Sequence, residues 1–258
     1  MDLHLNGKVA LVLASSKGLG KAIAMALAKE GAKVAIASRD IAKLEKTAAE
    51  IRANTGSQVF AIQADVSKAE EIGRLIQRTG NEFGPIHILV NNAGGPPFAP
   101  FEQFGDEQWQ QAFDQNLLSF VRTSRLVLPM MKAIGSGRII NIISGSVKAV
   151  LDNSVLSTSM RMGVVGMAKL LADEVGPHHI TVNNVAPGLI LTDRIKHTLP
   201  AGVDVQEALE KRAANIPLRR IGQPQELADL VTFLASNRAA YITGQTIQVD
   251  GGAGRNIY

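Results

Sequence analysis

Apolar and polar positions along the 258-residue chain follow two periods in turn. Short, nearly unbroken apolar runs at 9–13, 33–37, 58–63, 86–90, 138–143, 180–185 and 246–249 read as strands covered on both faces. Between them, apolar residues at helical spacing predict helices over 22–30, 41–52, 69–83, 106–131, 155–175 and 225–234. Strand and helix alternate, which predicts an α/β fold: a doubly wound parallel sheet of about seven strands with helices on both faces. Gly31 closes the first helix. Pro129 predicts a kink or stop late in the fourth, and Pro224 opens the last at a favoured position. Trp109 and Phe113 read as core, and Met160, Met162 and Met167 as core or a helix-pairing face. No linker or break in composition divides the chain, so residues 1–258 are expected to form one domain.

The turn after the first strand carries the first chemistry. Ala14-Ser15-Ser16-Lys17-Gly18-Leu19-Gly20 is a small-residue loop leading into a helix. Strand, glycine turn and helix aim free amides and the helix dipole at a phosphate, and Gly18 and Gly20 let a pyrophosphate approach the backbone. An ordinary tight turn has the same composition; the loop's place after the first strand of an alternating pattern favours a nucleotide. At the end of the second strand, where an NAD-type site carries an acidic residue, the chain has Ser38-Arg39. Arg39 and Lys17 would meet a 2′-phosphate, so NADP(H) is preferred over NAD(H); the plainer reading is two solvated charges. Asp40 is positioned to cap the next helix. Asp65 would accept from the adenine amino group, or with Ser67 cap helix 69–83. Asn91-Asn92-Ala93-Gly94 permits left-handed backbone and local side-chain bonds.

Composition removes whole classes of function. There is no cysteine, hence no disulfide, thiolate metal site or cysteine nucleophile, and no His-carboxylate spacing suggests a metal. The net charge of +4 is scattered over helices, and aromatic residues make up only 4%, so neither a basic tail nor a stacking surface for nucleic acid is expected. No leader-like segment or bilayer-spanning apolar run is read, which makes the cytoplasm the expected location and a membrane an unexpected partner.

Taken in order, Ala14-x-x-x-Gly18-x-Gly20, Asn91-Asn92-Ala93-Gly94, Asn116, Ser144, Pro187-Gly188, Gly244-Gln245 and Val249-Asp250-Gly251-Gly252 resemble the landmarks of the short-chain dehydrogenase/reductase family. The similarity spans nearly the whole chain and is nearest the 3-oxoacyl-(acyl-carrier-protein) reductase-like branch. The resemblance implies a Rossmann-type fold, a homotetramer, and a small carbonyl or acyl-thioester substrate. It implies cofactor contacts from Ala14, Ser16, Lys17, Gly18, Leu19, Gly20, Ser38, Arg39, Asp65, Val66, Asn92, Ala93, Gly94, Pro187, Gly188, Ile190 and Thr192. Asn116 would bind a water in a proton relay, Ser144 would hydrogen-bond the substrate oxygen, and 192–215 would form the substrate lid. Where the family has its first loop glycine this chain has Ala14, from which a negative φ is expected there.

A second departure bears on mechanism. The family places a tyrosine thirteen residues after the serine and a lysine four later; counting from Ser144 gives Ser157 and Arg161. On a helix both share one face. Arg161 can donate to ribose hydroxyls beside the nicotinamide but is no proton donor near neutrality. Ser157 can donate a hydrogen bond but is a far poorer acid than a phenol. Asn116, Ser144, Ser157 and Arg161 are therefore the expected catalytic set. Three functions stay open: an NADP(H)-dependent carbonyl reductase protonating through water near Asn116, an NADP(H)-binding protein without turnover, and a non-redox isomerase or dehydratase using a loop base such as Lys148. Tyr258 is a remote candidate for the missing phenol.

Overall fold

The computed structural model describes residues 1–197, 202 and 204–257. Seven strands, β1 Val9–Val12, β2 Lys33–Ser38, β3 Val59–Gln63, β4 Ile88–Asn91, β5 Gly137–Ile142, β6 Ile180–Pro187 and β7 Thr246–Val249, pair in the order β3-β2-β1-β4-β5-β6-β7. Every pairing is parallel. The pleat of β1 explains its unbroken apolar run: Val9, Leu11 and Leu13 join one core, Ala10 and Val12 the other. Helices α1 Gly18–Lys29, α2 Ile41–Thr55 and α9 Pro224–Ala235 cover the face of Ala10. Helices α3 Ala69–Phe83, α5 Ser119–Ile134 and α6 Val155–Val175 cover the face of Leu11. After β3 the chain crosses back to place β4 beside β1. The crevice at the carboxyl ends of β1 and β4 is thus the topological switch point, where open α/β sheets bind ligands.

Several sequence expectations need correcting. Helix α1 starts at Gly18, which takes a left-handed φ of +58°, rather than at residue 22. The stretch 106–131 is not one helix. It divides into α4 Asp106–Phe113, a π-helical segment Asp114–Leu118, and α5. Pro129 neither ends nor breaks α5, which runs on to Ile134; Pro129 and Arg125, whose carbonyl loses its helical donor, both lie on the exposed side of the helix. Trp109 and Phe113 are half-buried rather than core, Trp109 standing edge-on to exposed Phe101 at 6.1 Å. Lys68, not Asp65 or Ser67, precedes α3, and no side chain caps it. The stretch from α6 to His178 does reach a mean hydropathy of 1.2 and is long and apolar enough for a bilayer by length and composition. Here Leu156, Val164, Ala168 and Ala172 are buried, while Met162 and Leu170 are exposed.

A row of buried amides crosses the sheet beneath the crevice. Asn91 of β4 donates to Asn141 of β5 (2.9 Å), and Asn141 to Asn184 of β6 (2.9 Å). Asn184 donates to Thr246 of β7 (3.1 Å), and Thr123 of α5 donates to Asn91 (2.6 Å). Mutual pairing makes burial of these groups tolerable and ties the register of four strands. Asn141→Ala strands the Asn184 oxygen and is expected to lower unfolding free energy by about 2–4 kcal/mol. Urea denaturation should show a lower midpoint at unchanged slope.

Candidate active site

The loop after β1 is fixed by side-chain bonds to its carbonyls and to the neighbouring strand. Ser15 donates to the Val12 carbonyl (2.8 Å) and accepts from the Ala37 amide (3.0 Å), and Thr47 donates to the Ser16 carbonyl (2.8 Å). Asn92 donates to the carbonyls of Leu13 and Ala14, each at 3.3 Å. Helix α1 has neither a side-chain cap nor an acidic residue in its first turn, so its leading amides stay available. Gly20 is obligatory: a Cβ there would lie 2.4 Å from the Ala14 carbonyl oxygen. Ala14 itself adopts φ +48°, against the expected negative value. The loop imposes the left-handed turn whichever residue occupies it, at a strain on the order of 1–2 kcal/mol for a residue with a Cβ.

A cleft of about 610 Å³ opens from this loop across the switch point. Ala14, Ser16, Lys17, Gly18 and Leu19 border it, with Ser38 and Arg39 from β2, Asp65 and Val66 after β3, and Asn92, Ala93 and Gly94 after β4. Arg39 is exposed, its carbonyl accepting from Gln63 (2.9 Å). Lys17 reaches across to Asp193 at 3.9 Å, an open ion pair between exposed side chains. Asp40 accepts from the Lys43 amide and caps α2. Asp65 accepts from the amide (3.0 Å) and hydroxyl (2.8 Å) of Ser67, which ties a tight turn. Burial works upward on the Asp65 carboxyl, but the Ser67 hydrogen bonds and the charge of Arg39 outweigh it and hold it below the usual range.

The expected reactive residues gather at the ends of β5 and α6 rather than along this cleft. Ser144 follows β5 and accepts from the Ser146 amide (3.2 Å). Ser157 and Arg161 are 7% and 5% exposed. Arg161 donates through Nε to Ser157 Oγ (3.1 Å) and through Nη1 to the Ile142 carbonyl (3.1 Å). The serine hydroxyl, already accepting from a cation, keeps its own hydrogen for another acceptor. Burial, then the nearby charge of Arg194, lowers the Arg161 guanidinium to about 10, below the value expected from sequence. It remains cationic at neutral pH.

Asn116 sits in the π-helical segment, fully buried, donating to the Gly94 carbonyl (2.9 Å). Its Oδ1 is buried without a partner, and π-bulges concentrate at functional sites. Neighbouring Gln115 also donates to the Gly94 carbonyl (2.8 Å) and was not read from sequence. Pro187 ends β6, and the Gly188 amide donates to the Val249 carbonyl (2.9 Å). Ile190 is buried and bridges to Gly222, and Thr192 packs against the β1 loop beside Gly18. Within 192–215 lie α7 Asp193–His197 and α8 Val205–Ala213, while 198–201 and 203 fall outside the described residues, as does Tyr258. Arg194, also missed, donates to the carbonyls of Gly95 (2.8 Å) and Pro96 (3.0 Å). Lys148 is half-buried and lines a second cleft with Ser146 and Thr158. Arg220 is engaged by Glu226, and no cluster of three or more potential metal ligands occurs among the described residues.

Residues 13–254 match the family model described as enoyl-(acyl carrier protein) reductase. The chain belongs to the short-chain dehydrogenase/reductase family. Among short-chain reductases it is 40% identical over 252 residues to the 3-oxoacyl-[acyl-carrier-protein] reductase of Vibrio cholerae, covering 97% of this chain and 98% of that one. The Synechocystis protein of the same name is 39% identical over 250 residues, 96% of this chain and 97% of its own length. The L-sorbose reductase of Gluconobacter frateurii, solved with NADPH and L-sorbose, superposes with a TM-score of 0.95 at 33% identity over the full length of both chains. The Rossmann-type sheet of this short-chain dehydrogenase/reductase is therefore that of an oxidoreductase.

Proposed function

We propose that this chain is an NADP(H)-dependent reductase of a carbonyl substrate, 3-oxoacyl reductase-like, whose site replaces the usual phenol and ammonium by Ser157 and Arg161. The observation that carries the reading is the 3.1 Å bond from the buried Arg161 to Ser157 Oγ. It leaves a polarised hydroxyl and a group cationic at neutral pH at the carboxyl end of β5. The residues present fit a dinucleotide: the uncapped α1 amides and the side-chain-free Gly20 cradle suit a pyrophosphate, and Arg39 and Lys17 suit a 2′-phosphate. Asp65 and Val66 would flank the adenine; Asn92, Ala93, Gly94, Pro187, Gly188, Ile190 and Thr192 would frame the nicotinamide. When bound, NADPH supplies the hydride.

The chain's own groups then orient and stabilise. Ser144 and Ser157 donate to the substrate oxygen, and Arg161 offsets the charge that develops on it. Asn116 Oδ1, without a partner among the described residues, holds a water that carries the proton. Residues 192–215 act as the lid. The exposed Met162 and Leu170 of α6 support helix pairing in a homotetramer, and the cytoplasm is the proposed location.

Two experiments test the reading. Calorimetry with NADPH and NADH, followed by a carbonyl panel, should give tight NADPH binding and slow turnover of an activated ketone. Tight binding without turnover of any carbonyl would instead make the chain a cofactor-binding protein. Arg39→Asp is expected to weaken NADPH binding about 10- to 10²-fold while sparing NADH, the loss of one charge-assisted contact to phosphate. An equal effect on both coenzymes would remove Arg39 from the 2′-phosphate site.

A further inference from the structure

Arg194 is the one arginine that both borders the cleft and spans it. It follows Thr192 at the start of the lid stretch, yet its guanidinium lies on the far wall, bonded to the carbonyls of Gly95 and Pro96 and set over the Phe98 ring at 5.5 Å. Both acceptors are neutral, so its charge is not compensated there. Arg161, on the opposite side, is bonded only to a hydroxyl and a carbonyl. Among the described residues neither guanidinium is ion-paired with a carboxylate, whereas Lys17, which also borders the cleft, has Asp193. Arg161 is buried and Arg194 exposed, yet the charge of Arg194 is close enough to bear on Arg161, and neither has a carboxylate partner among the described residues. Each raises the electrostatic cost of the other, and a bound anion relieves both.

We propose, building on the reductase reading, that Arg194 is a specificity residue that binds a carboxylate on the substrate, making the preferred substrate a small oxo acid rather than a neutral ketone. The cofactor's phosphates are a weaker match for Arg194. They have the α1 amides and Lys17 at the β1 end, while Arg194 is anchored past Gly94 on the side of Phe98. A planar guanidinium held at two donors has three N–H groups left, enough for a two-pronged carboxylate contact.

The test compares acetoacetate with methyl acetoacetate, the same 3-oxo group with and without the negative charge, in the intact protein with NADPH. Wild type should favour the acid. Arg194→Gln should lower kcat/KM for acetoacetate about 10²-fold, mostly through KM, with a penalty on the ester at least tenfold smaller; Arg194→Lys should recover part of the loss. Equal losses on both compounds, or a tenfold weaker NADPH affinity with the acid-to-ester ratio unchanged, would overturn the assignment. Titration of acetoacetate into the NADP⁺ complex separates this inference from the reductase reading. Arg194-dependent binding without any turnover keeps the anchor and removes the reductase; turnover with binding indifferent to Arg194 does the reverse.

Discussion

Arg161→Met should cut kcat with NADPH and an activated ketone by about 10²–10³-fold while leaving the protein as stable as before, or more so. The activity loss follows from removing a donor and a fixed charge from the place where negative charge grows on the substrate oxygen; single donors of that kind are worth this much. Stability should not follow activity. Arg161 is a buried cation without a carboxylate, and burial already pulls it down to about 10. Exchanging such a group for an apolar chain of similar volume removes a desolvation penalty, which offsets the bonds lost at Ile142 and Ser157. Thermal melting alongside steady-state kinetics checks both halves. Parallel loss of melting temperature and activity would make Arg161 a structural residue.

The second large effect runs the other way. Ser157→Tyr with Arg161→Lys supplies a phenol with a cation four residues on, both on the face of α6 directed at β5. A matched general acid is worth about 10²–10⁴ in rate, so kcat on a simple ketone should rise by about 10²-fold. The pH profile should change in step. In the native chain neither Ser157 nor Arg161 titrates between about pH 6 and 9, so the rate should be flat there and fall only as pH rises through about 10, where Arg161 loses its charge. The double variant should acquire a dependence set by its tyrosine. A variant no faster than the native chain, with an equally flat profile, would mean that the scaffold no longer places a donor at the substrate oxygen.

Much of this geometry was legible before the structure. The change from unbroken apolar runs to helical spacing located the strands and helices, and the ends of α3, α6 and β7 fall where the pattern puts them, because strong apolar spacing stops there. The i,i+4 spacing puts Ser157 and Arg161 on one face of α6, and the structure adds the bond between them. What stayed hidden depends on backbone detail that side-chain pattern does not encode. The π-helical turn that presents Asn116 is one residue of extra winding inside a pattern that still reads as helix. Ala14 takes a positive φ because Asn92 and the tight packing of Gly20 fix the loop, overriding the residue's own preference. Asn91 read as part of a polar turn; with Asn141 it is a link in a buried amide row whose partners lie 32 to 50 residues away in sequence. Arg194 carried one visible signal, a basic residue two places after Thr192. Inside a polar stretch, nothing distinguished it from a solvated charge.

The central claim is that Ser157 and Arg161 orient a carbonyl for hydride transfer. It is tested most directly with NADPH carrying two deuteriums at the nicotinamide C4, methyl acetoacetate and stoichiometric enzyme, with the product read by mass spectrometry. One deuterium on the carbon that bore the oxo group is the predicted result, reduced at least tenfold in amount by Arg161→Met. Product free of deuterium, or no product from a protein saturated with NADPH, would contradict the account.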